Sequence, residues 1–420
     1  MQRVVAVLIF ALALGVSLGA CKRKPADLEV WRPRVAKNGQ EKLTQWVGSD
    51  SELLETRIRA AEILIEEDCA YSVKLGLDNA NETDRAAIVK ALVPIIHGWY
   101  EKDDATVDDY QRGSSKQVDA KEGAYQLLAH ASGADRDLLE KDLVDWVGGG
   151  EFRIRDQMGN VKIEQIAEAL GAPAHEALLK HLEDPENPQA ALARILRKSK
   201  DPEIKRKTAL ALKTAALKAL SNTEVEPEKR LDKDLETAIL EEEHEAIVPL
   251  FIRVVPDETL DPTLRTNAMD RISKIKGKAA LPIFLGWIEK RPGDLRWLAV
   301  QGAAESGGKA ALAPILNAFP AGGEYGGGEK DGFSREAGRF CMVEVKEEMK
   351  DVEPILLTTL KSGTPPAKAV ALRCLQEVGS AKAIPAVEAL GDDKTSIPAW
   401  DGAKTVGELA TQTLEKLKKK

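Results

Sequence analysis

Apolar residues along most of this chain fall at helical spacing. In residues 294–318, Leu295, Leu298, Ala299, Gly302 and Ala303 recur at the i, i+3, i+4 interval that draws one apolar stripe down a helix. Gly307 and Gly308 end that stripe, and Lys309 to Ala318 opens a second helix with Pro314 near its start and Ile315 and Leu316 turned inward. Residues 366–390 run in the same order: an Ala- and Leu-rich helix, Gly379-Ser380, then a helix with an early proline, Pro385. The prolines Pro249, Pro282, Pro314, Pro354 and Pro385 stand 33, 32, 40 and 31 residues apart. Proline is tolerated early in a helix because the first N–H groups have no internal partner. A period of this size implies stacked helical pairs, since one pair cannot bury its apolar face alone.

Weaker copies lie upstream. Ile163 to Leu182, with Gly171 and Pro173, and Arg265 to Ile288 fit the same rule. Ile58 to Leu77 and Ala86 to Trp99 read as helices of earlier repeats, Glu203 to Leu220 as one long helix, and Glu228 to Val255 as a long acidic one. Val406 to Leu417 reads as a closing helix, with the following lysines placed to favour its negative C-terminal end. The 40-residue interval from Pro314 to Pro354 contains a glycine-rich insertion at 320–332, which cannot favour a helix. It is either a contact loop using Tyr325 and Phe333 or a tolerated surface insertion. Gly148-Gly149-Gly150 and Gly159 mark a candidate hinge.

The two strongest segments, 294–318 and 366–390, resemble HEAT repeats of the short bacterial type: a helix with an Arg and several alanines, a glycine turn, then a helix with a first-turn proline. The resemblance implies an all-α fold, an α-solenoid (superhelix) of about eight HEAT-like helical pairs. Degenerate repeats occupy 41–160 and clearer ones 161–420. Such a stack offers an extended surface for peptides, helices or whole domains. Some proteins of this type are similar to bilin lyases and others are nucleic-acid repair enzymes, so an enzyme is the rival expectation.

The first residues are of another kind. Arg3 precedes an apolar run from Val4 to Val16, and small residues follow before Cys21, the layout of a secretory signal. Leu18-Gly19-Ala20-Cys21 resembles the bacterial lipobox. That resemblance implies cleavage after residue 20, a diacylglyceryl thioether on Cys21 and fatty acylation (palmitate-type chains) of the new amino group. It also implies a mature protein held to a membrane by lipid. Lys22, where Asp would retain the protein in the inner membrane, points to the periplasmic side of the outer membrane. Residues 21–40, with Pro25, Pro33, Asn38 and Gly39, read as a tether with little regular structure.

Charge narrows the partners. The chain carries −8, and loss of residues 1–20 removes Arg3 alone, leaving −9. An acidic balance disfavours broad binding of nucleic acid, so no nucleic acid is expected as a partner. Of four cysteines, Cys21 is assigned to lipid. Cys341 and Cys374, 33 residues apart, are a candidate disulfide in an oxidising compartment, and three small buried thiols are the alternative. No HExxH, CxxC, phosphate loop or nucleophile elbow is present, so no catalytic residue, metal or cofactor is expected. His244, within Glu241 to Glu245, reads as part of a solvated acidic face. The expectation is a non-enzymatic scaffold that binds an envelope protein, or else an envelope lipoprotein that binds a small ligand or polysaccharide.

Overall fold

In the computed structural model of the chain, residues 23–101, 115–149, 159–290, 294–321, 338, 340–349, 351–400 and 402–420 are described. The helices are α1 Gln40–Gly48, α2 Leu54–Glu66, α3 Ala70–Asn79, α4 Glu82–Glu101, α5 Lys116–Leu127, α6 Gly133–Gly148, α7 Ile163–Leu170, α8 Ala172–Leu182, α9 Ala193–Leu196 and α10 Pro202–Leu220. They continue with α11 Lys233–Glu241, α12 Val248–Val254, α13 Pro262–Lys276, α14 Leu281–Lys290, α15 Asp294–Gly307, α16 Leu312–Ala318, α17 Glu353–Ser362, α18 Pro365–Val378, α19 Ile384–Glu388 and α20 Val406–Leu417. Among the described residues the fold is all-α apart from one antiparallel hairpin, β1 Ser396–Trp400 with β2 Ala403–Thr405.

The marker prolines sit where helix chemistry accepts them. Pro173, Pro249, Pro282, Pro314, Pro354 and Pro385 all lie in the first turn of their helices, α8, α12, α14, α16, α17 and α19. Four of these helices are entered through a tight 3-10 turn, Glu245–Ile247, Gly277–Ala280, Gly308–Ala311 or Ala381–Ala383. Gly277 and Gly308 take φ of +53° and +54°, a left-handed backbone that a side chain would strain.

The chain divides into two units, Met1–Ile204 and Lys205–Lys420. In the first unit α1 packs on α2 and α3, α2 on α4, α3 on α5, α4 on α6, and α6 on α8. In the second, α11 packs on α13, α13 on α15, α14 on α16, α16 on α18, and α18 on α20. Along these stretches a helix meets the next but one as well as its neighbour, and the cores are rows of small and aliphatic side chains such as Ala60, Leu64, Ile88 and Leu92, or Ala268, Ile272, Ala299 and Ala303.

A recurrent arginine closes many of the helix ends. Arg57 Nε donates to the Val47 carbonyl at 2.9 Å, Arg85 to Leu77 at 2.8 Å, Arg265 to Val255 at 2.8 Å and Arg296 to Ile288 at 2.9 Å. Each carbonyl lies in or just beyond the last turn of the preceding helix, where no internal donor remains and the helix dipole is negative.

Three segments depart from the pattern read in sequence. Residues 25–39 are not a loose tether: Pro25–Arg34 is a 3-10 helix and Val35–Gly39 a π turn that runs into α1. Pro25 occupies its first position, Leu28 and Val35 are buried, and Arg32 reaches Glu66 at 2.6 Å and Glu67 at 3.0 Å on and beside α2. Glu228–Val255 is not one helix. It breaks at 242–247, where the buried Glu242 carboxylate accepts from the Glu243 and His244 amides and His244 Nδ1 accepts from the Ala246 amide. His244, half-buried, caps the 3-10 turn Glu245–Ile247, while Glu241, Glu243 and Glu245 are exposed as the acidic-face reading expects. Third, the β1–β2 hairpin interrupts the run of helices before α20.

The ion-pair chain that fixes the N-terminal helix has a pH signature. Glu66 bridges Arg32 and Lys116 Nζ (2.7 Å), and Lys116 also meets Asp119 at 3.2 Å. Burial pushes Asp119 up to about 6, against the pull of Lys116 and with added repulsion from Glu66 and Asp68. A carboxyl raised in the fold favours the protonated state, so its stabilisation is full below about pH 4 and is lost as pH rises through about 6. Asp119→Asn should therefore stabilise the first unit at pH 7.5 by about 1–2 kcal/mol and change nothing at pH 3.5. Urea midpoints at the two pH values check this, and an equal effect at both would remove Asp119 as the cause.

Candidate functional site

Residues chosen from sequence fall into three groups. Leu18, Gly19, Ala20 and Cys21 lie outside the described residues, as do Tyr325 and Phe333 of the glycine-rich insertion. Cys341 and Cys374 are brought together as a disulfide, with Cα atoms 4.5 Å apart. It joins the π turn Phe340–Glu348 to α18, and both sulfurs are in fully buried residues. Cys69 is a free, half-buried thiol, its pKa raised by burial and by the Asp68 and Glu67 carboxylates.

The N-terminal edge of the first unit is the region of the described chain nearest the lipobox. Arg23 is fixed there on three sides. Its carbonyl accepts from Thr56 Oγ1 at 2.6 Å, its guanidinium lies over the Trp46 ring at 4.5 Å, and it pairs with Glu52. Trp46 in turn meets Trp31 edge to face at 5.4 Å. Arg23 is thus already part of the folded body, a feature that prolines and small residues in 21–40 concealed.

Farther along the same unit a cavity of about 700 Å³ opens between α7, the start of α8 and the turn before α10. Glu164, Glu168, His175, Lys198, Lys200 and Asp201 line it. Glu164 holds Arg194 at 2.9 Å and also pairs with Lys198, which keeps its carboxyl ionised to lower pH than usual. His175 is 7% exposed, and its Nδ1 has no hydrogen-bond partner. Burial lowers its pKa against the pull of Asp201, so the imidazole is neutral at pH 7. The wall therefore offers a neutral imidazole, paired charges and the apolar side chains of Leu170 and Ile195. Sequence spacing alone did not single out this site, because its residues come from α7, α8, α9 and the turn before α10, spread over positions 164–201.

A second polar pair involves His97, whose Nδ1 lies 3.0 Å from Asp142 and whose Nε2 lies 3.3 Å from Glu101. Both partners are carboxylates, an arrangement that ties α4 to α6. Burial raises the Asp142 pKa despite His97. Among the described residues no group of three His, Cys, Asp or Glu side chains is placed to hold a metal ion. No helix among them is long and apolar enough to cross a membrane.

No family model matches the chain, and no curated protein matches it. Among solved structures it is similar to one described as the crystal structure of an engineered protein, at 17% identity over 90% of this chain and 98% of that one, with a TM-score of 0.22. A likeness that slight carries no argument about fold or function.

Proposed function

We propose that this chain is a bacterial lipoprotein anchored through Cys21, whose helical repeats form a HEAT-like solenoid that acts as a non-enzymatic scaffold for an envelope protein. The observation that carries the scaffold reading is the next-but-one helix packing that recurs in stretches of each unit. Packing of that kind makes long side-by-side helix surfaces available to a partner. The anchor reading rests on the sequence Leu18-Gly19-Ala20-Cys21. A buried disulfide in the second unit suits an exported chain, since such bonds persist outside the reducing cytosol.

The test is in-cell cross-linking of the native protein, followed by purification from detergent-solubilised membranes, with Cys21→Ala in parallel. A recurrent envelope-protein partner, lost or reduced in the variant, is the expected result. Recovery of the protein alone would overturn the scaffold, and equal soluble recovery of both forms would overturn the anchor.

The cavity beside His175 favours a second reading, an envelope lipoprotein that binds a small polar ligand. A ligand present at 100 times its dissociation constant would stabilise the first unit by about 2.7 kcal/mol, a shift visible in thermal unfolding.

A further inference from the structure

A folded body that includes the second residue after a lipid-bearing cysteine cannot stand off the bilayer. Arg23 is part of that body, held by Thr56, Trp46 and Glu52. An extended chain gains at most about 3.6 Å per residue, so the Cα of Cys21 lies within about 7 Å of the Arg23 Cα. That is about the depth of one headgroup layer, roughly 5–7 Å. The surface around Arg23 is therefore constrained by covalent reach, before any attraction acts.

The same edge carries the charge that suits a membrane. Residues 22–48 contain seven Lys and Arg against three Asp and Glu, in a chain whose net charge is −8. From Pro25 to Gly48 the backbone is one helical run. Its inner side is Leu28, Val35, Gly39, Leu43, Trp46 and Val47, all buried. Lys24, Arg34, Lys37 and Lys42 are exposed. Glu29 is neutralised by Arg32 and Arg59, and Arg23 and Arg32 are in ion pairs of their own, so Lys24, Arg34, Lys37 and Lys42 are the exposed bases set against the carboxylates of Asp27 and Glu41. Val30, in the same run, is 58% exposed, an apolar side chain left on the outside of a basic segment. Basic residues beside an anchor are drawn to anionic headgroups, and the effect fades within a Debye length.

We propose that the helical run Lys24–Lys42 is a membrane-facing footing, laid against an anionic lipid surface by a two-residue link to the lipid on Cys21. This rests on the anchor reading above. It adds a fixed orientation: the footing is occupied by lipid, which leaves partner binding to other faces of the first unit.

Lysine footprinting of the full-length lipoprotein on vesicles tests it. An impermeant acylating reagent is applied, and the modification of Lys24, Lys37 and Lys42 is divided by that of Lys141 and Lys180 in the same molecules. The two reference lysines are exposed on α6 and α8, farther along the stack. On phosphatidylcholine vesicles the ratio should be about five-fold lower than for a variant with twelve Gly/Ser residues inserted after Lys22, because such a linker spans about 20 Å. Equal ratios in the two proteins would overturn the footing. Adding 30% phosphatidylglycerol should lower the wild-type ratio further, and no change would overturn the anionic preference. Flotation with the vesicles and the mass of the N-terminal peptide report the anchor separately. A chain that floats, carries lipid and shows no protection refutes the footing alone. A chain whose N-terminal peptide carries no lipid refutes the anchor, and the footing with it.

Discussion

Lys121→Met is expected to destabilise the first unit by about 3–5 kcal/mol, the largest effect of any single substitution considered for this chain. Lys121 and its neighbour Glu122 are 2% and 3% exposed. Their charges meet at 3.2 Å, and together they clamp one residue of a distant segment: Lys121 Nζ donates to the Val161 carbonyl at 2.6 Å, and the Val161 amide donates to Glu122 Oε1 at 2.7 Å. The ammonium also sits 5.3 Å from the centre of the Trp146 ring. Methionine fits the methylene stem but removes the charge. The Glu122 carboxylate then stays buried without its cation, and the Val161 carbonyl loses its donor. Removing one member of such a pair costs more than the pair contributes, because the survivor keeps its full desolvation penalty. Lys121→Met combined with Glu122→Gln should therefore recover part of the loss. The clamp also sets where α7 begins, and α7 lines the cavity beside His175. Urea midpoints of the single and double variants read this out. A single variant within about 1 kcal/mol of wild type would mean that the clamp is wet and the argument from burial fails.

What was legible in the sequence was whatever depends on local backbone chemistry. Pro282, Pro314 and Pro385 announce first turns, and Gly277 and Gly308 announce left-handed turns, because each residue type has few conformations to choose from. The long helix through Glu203–Leu220 was plain for the same reason. What stayed hidden depends on contacts from elsewhere in the chain. Lys121-Glu122 reads as two solvated charges until Val161 arrives from 40 residues away. The faint signal was a small-residue setting: Ala120, Gly123 and Ala124 flank the pair, and a Cβ on Gly123 would lie 2.8 Å from Ile96 Cδ1, so α4 and α5 approach closely there. The helical run at 25–39 was hidden by Pro33 and Gly39, which look like breakers. Leu28 and Val35 are its buried anchors, and their spacing of seven was there to be seen. The arginine caps were visible only as scattered basic residues, since eight to ten positions separate each from its carbonyl.

Reduction of the Cys341–Cys374 bond is expected to cost the second unit about 2–4 kcal/mol. The bond spans 33 residues, which in the chain-entropy view corresponds to a sizeable loss of freedom in the unfolded state. It also fastens the turn Phe340–Glu348 onto α18, alongside the buried Phe340 and Val345 and the Lys346–Glu377 pair. Both sulfurs are in residues with no exposed surface, so reductant should reach them only after local opening. Loss of the bond should therefore be slow under native conditions and fast in moderate urea. Cys69→Ser is the background for the measurement. Its thiol is held mostly protonated by burial and neighbouring carboxylates, which slows exchange, and its removal should leave the midpoint unchanged. In that background, Cys341→Ala with Cys374→Ala should lower the urea midpoint of the second unit and abolish its response to reductant. An unchanged midpoint in the double variant would mean that packing on α18 holds the turn without the bond. The same pair also reports on compartment: the chain exported with residues 1–20 should be recovered oxidised, and a version lacking them, kept in a reducing cytosol, should be recovered with free thiols.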